Sequence, residues 1–420
     1  MPKPVVVVGA GLAGLTCART LHRAGVPVLV VDASDRPGGR LKTDVVDGFR
    51  LDHGFQVHFT AYPSATEELD YDALDFRRFE PGALIATGKD MALVHRSKPI
   101  QMALSTFLPL TDKTKILAWT HECREMSLEE IFELEDIPTE EHLRRCGFSE
   151  VFLEKFARPF FGGIFLDRGL GVSLRQFAFV WKMLDEGDTV VPSRGIEAIP
   201  KQIASGLPPA SFRMNTRVAR LVRTDSRAIG VQTETGDLIE GESVVVATEA
   251  PEAERLVGQP TVPGYRSSTC LYFAAKEAPI TGRYLVLNGT GKGIVNEIVP
   301  MTNVAPELSE SGEALISATI LGHQDDTDET LAEAVRSEAR DWFAGVDTTK
   351  WRFIRAYRIR YAQMPQQPGV LGSLPANRTA VPGLYFAGEF TVNSSIHGAI
   401  HSGQLCAKAV LEDRRRSRLS

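Results

Sequence analysis

No stretch of this 420-residue sequence runs free of charge for the ~18 apolar residues that a membrane-spanning helix needs, so no span is expected. Cysteine is scarce. Cys17, Cys123, Cys146, Cys270 and Cys406 are odd in number, widely spaced and never in C-x-x-C, which suits neither a disulfide framework nor a zinc site. Buried thiols fit a reducing compartment, and a cytoplasmic location is expected. Charge of one sign is also lacking: 47 Lys and Arg stand against 53 Asp and Glu, a net −6. That balance excludes the basic footprint of a nucleic-acid binder. The one basic run, Arg414, Arg415, Arg416 and Arg418, reads as a frayed, solvated tail. Met1-Pro2-Lys3-Pro4 lacks the charged n-region of a signal peptide and runs straight into a strand and its motif. Repeats and low-complexity segments are absent too. With 43% hydrophobic and 24% charged residues, the chain can bury a large core. Its length allows about two or three domains.

The local pattern is strong where it occurs. Val5, Val6, Val7 and Val8 read as a strand buried on both faces. Gly9-Ala10-Gly11-Leu12-Ala13-Gly14 follows, then helical spacing over residues 15–24 with Gly25 as C-cap, and a β-branched run over 26–31. This is a strand–helix–strand unit whose turn carries G-x-G-x-x-G. Gly9 permits the tight turn, Gly11 lets the backbone approach a pyrophosphate, and Gly14 lets helix and strand pack closely. Leu12 and Ala13 open the helix, which presents free N–H groups and partial positive charge to phosphates. Asp32, with Ala33 beside it, ends the second strand eighteen residues after Gly14, where an acid accepts ribose hydroxyls. Arg36-Pro37-Gly38-Gly39-Arg40-Leu41 comes next. A nicotinamide enzyme has no use for this second glycine pair. In a flavoprotein, Gly38 and Gly39 let the chain cross close to an extended dinucleotide, with Arg40 near its pyrophosphate or flavin. A plain surface loop is the alternative for Arg36 and Arg40.

Residues 62–184 read as helical, with breaks at Pro109, Pro138 and Pro159 and no alternating strand. Residues 216–246 are strand-rich around the turn Thr235-Gly236-Asp237. Strands over 269–274 and 315–321 and a helix over 329–343 follow. After Pro382 a buried strand over 384–387 leads into a final helix over 396–411.

Residues 5–41 resemble the N-terminal signature of the flavin amine oxidase and phytoene desaturase superfamily. Gly383-Leu384-Tyr385-Phe386-Ala387-Gly388-Glu389-Phe390 is similar to its FAD-closing segment. The resemblance implies that Gly388 and Glu389 meet the cofactor, the acid binding the ribitol chain. Ser395-Ile396-His397-Gly398-Ala399 would open a helix whose N-terminus, with Ile396 and Ala399, faces the flavin pyrimidine. Val218 would contact adenine through its backbone, with a plain core valine as the alternative, and Ala247 would end the strand that closes the nucleotide domain. Asp52-His53-Gly54-Phe55-Gln56 resembles the segment beside the flavin ring, with Gly54 and Phe55 at the cofactor. His53 and Gln56 are the catalytic candidates there, a hydrogen-bonded structural histidine being the favoured reading of His53. Tyr385 is placed near the ring by motif position. No Ser-Gly-Gly-Cys-type attachment site accompanies these motifs, so the FAD would be non-covalent. The implied fold is α/β: a Rossmann-type FAD-binding domain, doubly wound parallel sheet plus β-meander, with an inserted α+β substrate domain. The cofactor domain would comprise residues 1–61, 185–255 and 351–420, and the substrate domain 62–184 and 256–350.

Arg158-Pro159-Phe160-Phe161-Gly162-Gly163-Ile164-Phe165 resembles the apolar substrate-domain segment of desaturase-like members. Amine oxidases usually place an aromatic where Ser395 stands, and a lysine near the position of Thr269 or Cys270; the nearest here is Lys276. Both departures point from amines toward a lipophilic, isoprenoid- or carotenoid-like substrate. Phe160, Phe161, Ile164, Phe165 and the 269–274 strand are expected to line its cavity. The expected function is therefore an FAD-dependent oxidoreductase removing hydride from such a small molecule, as a desaturase or dehydrogenase. An amine oxidase, or a non-catalytic FAD-binding chaperone, are the alternatives. Neither residues nor resemblance single out an electron acceptor. His397 and His401 have metal-ligand spacing, but no carboxylate pattern completes a site, so no metal is expected. Residues 100–119 read either as a peripheral membrane contact or tunnel mouth, or as two amphipathic helices around Pro109.

Overall fold

The computed structural model describes residues 2–88, 90–95, 107–224, 227–259 and 261–419. The four valines Val5–Val8 form the central strand of a five-stranded parallel sheet. β-Branched side chains pack on both faces of it, and all four are 0–3% exposed. Val28–Val31 and Ser243–Val246 flank it, with Phe212–Arg213 and Leu384–Phe386 at the edges. The sheet thus joins segments from the whole length of the chain. The helix Leu12–Arg23 covers one face and packs along the last helix, Ile396–Leu419. Their approach is close because Gly403 has no side chain: a Cβ there would lie 2.8 Å from Thr16 Cβ. Val218–Arg223, Ala228–Thr233 and Leu238–Glu240 make an antiparallel meander, turned at Gly236, which adopts φ +90°.

A seven-stranded mixed sheet forms the second layer system, in the order 352–363, 266–275, 314–321, 295–300, 285–288, 82–86, 91–95. One face carries Leu271, Phe273, Ile298, Ile316 and Ile320 against Leu331, Val335 and Trp342 of the helix Asp328–Trp342. The other face bears Ala83, Ile85, Leu285, Leu287, Glu297 and Thr319, which the antiparallel and parallel registers bring side by side. Helix Arg158–Phe165 lies across that face.

Several expectations change. Residues 62–184 are not purely helical: Phe76–Arg78, Gly82–Ala86 and Met91–His95 are strands. Gly82-Ala83-Leu84-Ile85-Ala86 is apolar at nearly every position, so it lacks the alternation that marks a strand in sequence. Arg352–Gln363, expected in the nucleotide-binding part, pairs along Arg266–Ala275 and is an edge of the larger sheet. The last helix does not end in a frayed tail. It continues to Leu419, with Arg414 paired to Glu242 and Arg378 bonded to Asp413 at 2.9 Å. After Pro109 a single helix, Leu110–Glu125, occupies the end of the 100–119 stretch, whose residues 100–106 lie outside the described residues. Among the described residues no helix is long and apolar enough to cross a membrane.

Candidate active site

The glycine loop leaves the carboxyl edge of the parallel sheet, where open α/β folds bind ligands. Gly9 adopts φ +113°, and a Cβ there would collide with the Ala247 carbonyl. A Cβ on Gly14 would fall on the Gly9 carbonyl, so Gly14 serves the helix–strand contact and does not line the cleft. Gly11 differs: a Cβ there would meet only Gly39 Cα, at 3.9 Å. Gly39, at φ +60°, brings its backbone up beside it. The space over these two glycines is therefore open only while both lack side chains. Gly11 N-caps the helix without a side-chain hydrogen bond, and the first turn has no acidic residue, so its N–H groups face the cleft uncompensated. Asp32 is held by the Ala10 and Ser34 amides at 2.6 and 2.7 Å. These are the requirements of an adenine dinucleotide, and the residues fit one.

The two ends of the chain meet across this cleft. Arg40 donates to Glu389 Oε1 at 2.7 Å and to the Ala362 carbonyl at 2.7 Å. Burial opposes the Arg40 charge, but Glu389 and Glu249 more than offset it. Ser394 Oγ donates to the other oxygen of Glu389 at 2.6 Å. Ser395 Oγ accepts from the Gly398 amide at 2.8 Å and so caps the last helix, whose Ile396 and Ala399 line the cleft. Leu12, Ala13, Ala33, Gly38, Leu41, Gly54, Phe55, Val218, Ala247 and Gly388 also line it. Arg36 does not. Its guanidinium turns to Glu197 at 2.5 Å and Asp44 at 2.9 Å, bracing the chain beyond the glycine pair.

His53 and Gln56 reach the cleft with their side chains already engaged. His53 Nε2 lies 3.0 Å from Asp44 Oδ2, and its ring stacks on Tyr357. Burial opposes ionisation of Asp44, but Arg36, Tyr357 and His53 prevail and hold its carboxyl down to about 2. Gln56 donates to the Arg40 and His53 carbonyls, both at 3.1 Å, and pins the loop. Tyr385, expected near the ring, instead donates to Asp413 at 2.9 Å away from the cleft. Leu384 and Phe386 beside it do not line the cleft either, because core packing covers both faces of this short strand. His397 and His401 both bond to Ser64, and burial pushes His397 down to about 4. Among the described residues no group of three His, Cys, Asp or Glu could hold a metal.

Beyond the dinucleotide cleft the same cavity continues under helix Arg158–Phe165, for a total of about 1350 Å³. A single ligand usually occupies ~300–1,000 Å³, so this cavity is large enough for a cofactor and a second molecule. Phe156, Phe160 and Ile164 form its roof, and Ala83, Leu285, Leu287 and Ile359 its floor. Phe161 and Phe165 touch it from the core, stacked at 6.5 Å. Of strand Arg266–Ala275, however, Ser268 lines the cavity and residues 269–274 do not: Leu271 and Phe273 face the far side of the sheet, and Cys270, Tyr272 and Ala274 are covered by Phe49, Phe79 and Val191. Sequence reasoning missed Ser268, Thr319, Gln363 and Glu297. The last had a signal: an acid, with Asn296 before it, inside the otherwise apolar strand Val295–Pro300.

Residues 12–411 match the family described as flavin containing amine oxidoreductase. A 15-cis-phytoene desaturase of Solanum lycopersicum is 22% identical over 98% of this chain and 78% of its own length. A phytoene dehydrogenase of Streptomyces griseus is 27% identical over 61% of this chain, which spans 56% of that enzyme. A solved putrescine oxidase bound to putrescine superimposes with a TM-score of 0.74 at 18% identity, covering 98% of this chain and 99% of that one. At that identity the likeness is one of fold.

Proposed function

Because this chain belongs to the flavin-containing amine oxidoreductase family, we propose that it oxidises a lipophilic, isoprenoid-like small molecule, as a desaturase or dehydrogenase. The cofactor is FAD, which when bound accepts hydride from a substrate carbon. Gly11 and Gly39 leave room for its pyrophosphate, Asp32 takes the adenine-side ribose, and Arg40 orients Glu389 toward the ribitol. Non-covalent binding agrees with this set, which offers contacts and no attachment residue.

The observation that carries the substrate reading is the apolar extension of the cavity between Phe156, Phe160 and Ile164 above and Ala83, Leu285 and Leu287 below. Such walls exclude water and hold a hydrocarbon chain against the cofactor, which is most of what hydride removal asks of a protein. Ser395, spent on capping a helix, builds no aromatic cage for an amine. The test is an anaerobic titration of the oxidised holoenzyme with polyenes and with primary amines, following flavin absorbance. Bleaching by a polyene is expected. Rapid bleaching by a simple amine, with no polyene response, would overturn the reading in favour of an amine oxidase. A feature that favours that second reading is the carboxyl of Glu297 in the cavity, a partner for an ammonium.

The same reading places peripheral membrane contact at the cavity mouth, where Leu110 and Leu117 are 71% and 70% exposed. A cytoplasmic setting suits the five free cysteines. It divides the chain into a cofactor part of residues 1–61, 185–255 and 364–420, and a substrate part of 62–184 and 256–363. The last boundary follows from the pairing of Arg352–Gln363 in the larger sheet.

A further inference from the structure

We propose that Glu297 is the polar anchor of the substrate cavity, taking the hydrogen-bond-donating head group, hydroxyl or ammonium, of an otherwise apolar substrate. This rests on the reading of the cavity as a lipophilic site and narrows it to amphipathic molecules.

Glu297 lies on the floor strand Val295–Pro300, opposite Thr319 on one neighbouring strand and Leu287 on the other. It lines the cavity while only 5% exposed. A carboxyl in such surroundings costs folding energy unless its oxygens are bonded. Inside the protein its hydrogen-bond partner is the Asn296 side-chain amide, while the buried Thr319 hydroxyl opposite it has no partner among the described residues. A bulge between Val295 and Glu297 brings Asn296 to the same place, and its Nδ2 also donates to the Pro159 carbonyl of the roof at 3.0 Å. Asn296 is 1% exposed, and its Oδ1 is buried without any hydrogen-bond partner. Two acceptors, a carboxyl and an amide oxygen, therefore stand together at the seam of floor and roof.

The roof is shaped to leave them room. Gly163 faces the pair, and a Cβ there would lie 2.9 Å from Asn296 Nδ2 and 3.2 Å from Glu297 Oε2. Any side chain at this point of the helix would cover the carboxyl. A hydrocarbon substrate would gain nothing from an acid in the wall, and an apolar residue would pack there at less cost. A substrate that donates a hydrogen bond recovers the cost and is fixed along the length of the cavity.

The ionisable groups facing Glu297 are the Arg168 guanidinium, from the turn after the roof helix, and the Cys270 thiol on strand Arg266–Ala275. Burial pushes the thiol up to about 12, so it stays neutral. Burial likewise pushes the Glu297 carboxyl up, to about 7, against the opposing pull of Asn296, Thr319 and Arg168. It therefore ionises around neutral pH, and an ammonium head group should bind more tightly as it does.

The probes are decane, 1-decanol and decylamine, titrated into the FAD-loaded enzyme and read by the perturbation of the flavin visible spectrum. The wild type should bind decanol about tenfold or more tightly than decane, the worth of one hydrogen bond to a charged or strongly polar group. Decylamine should tighten further between about pH 6 and 8, with its midpoint near the Glu297 value. Glu297→Leu should bring decanol and decane to equal affinity with the FAD content unchanged. Glu297→Gln should keep the decanol preference and lose the pH dependence, which a merely structural role would not move. Decylamine favoured over decanol assigns the head group as ammonium; the reverse order assigns hydroxyl. Equal binding of decane and decanol in the wild type, or a preference surviving Glu297→Leu, would overturn the anchor and leave the lipophilic cavity standing. Failure of all three probes to bind would overturn both.

Discussion

Gly11 is where a single atom decides function. A methyl group placed on its Cα would stand 3.9 Å from Gly39 Cα and meet no other protein atom, so a larger side chain enters the volume a pyrophosphate needs. Gly11→Leu is expected to weaken FAD binding by about 100-fold or more, roughly 3 kcal/mol, with the protein still folded. The cofactor content of the purified variant, read as visible absorbance per chain, checks this. A yellow variant with stoichiometric FAD would contradict the placement of the phosphates. Arg40 and Glu389 make the complementary case. Their ion pair lies at the junction of the chain's two ends, and removing one partner leaves the other half-buried and uncompensated. Arg40→Met should therefore lower both FAD affinity and stability of the apoprotein, whereas Gly11→Leu should lower only the former. Thermal melts with and without added FAD separate the two.

Among the elements, the short strand His58–Phe59 carries a titration built in by packing. His58 is fully buried, stacked on Phe76, and within 3.0 Å of the Tyr71 hydroxyl. Burial pushes its imidazole down to about 3 from the ordinary 6.5. Below pH 6.5 the unfolded chain binds a proton that the native state refuses, so stability is full above that pH and is lost progressively toward pH 3. His58→Gln removes this term. The fall in melting temperature from pH 7.5 to 5 is expected to be smaller in the variant than in the wild type, and identical slopes would refute the assignment. The floor sheet makes a simpler demand. Phe273 is fully buried between Trp351 and Phe353, so Phe273→Ala should cost about 3–5 kcal/mol in a denaturant melt.

At the scale of the molecule, the parallel sheet needs Val5–Val8, Ser243–Val246 and Leu384–Phe386 together. A fragment of residues 1–190 lacks two of these strands and Glu389, and it is expected neither to bind FAD nor to melt cooperatively. Binding of FAD by that fragment, measured by fluorescence quenching, would contradict the discontinuous cofactor part. The exposed pair Leu110 and Leu117 stands at the mouth of the cavity on the first and third turns of one helix. Leu110→Glu with Leu117→Glu should reduce cosedimentation with phosphatidylcholine vesicles and leave FAD content unchanged. Cosedimentation equal to wild type would remove membrane contact from this face.

The dinucleotide half of the molecule was legible in sequence because its constraints are local. Val5 to Gly14 form a strand, turn and helix whose chemistry is complete within ten residues, and Asp32 is placed by the strand that follows. Backbone approach to a phosphate demands glycine whatever surrounds it, so the pattern survives without knowledge of the fold. Arg36 shows the limit of that reasoning: the motif puts it beside the cofactor, but Glu197, more than 150 residues on, pulls it away. Tyr385 and residues 269–274 show it again: other elements cover both faces of their strands, and only the assembled sheets decide which stretch of a strand borders the cavity. In the substrate half the roof segment, Phe160 to Phe165, was legible in sequence, and the floor was decided by tertiary structure. Ala83, Leu287, Glu297 and Thr319 come from four strands, and only pairing across the sheet makes them one floor. Glu297 reads in sequence as an acid beside Asn296 in a strand of Val, Ile and Pro. Its neighbours Asn296 and Thr319, and the bare Gly163 opposite, turn it into a buried acceptor at the end of an apolar cavity. Non-local contacts set its solvation, and solvation sets its chemistry.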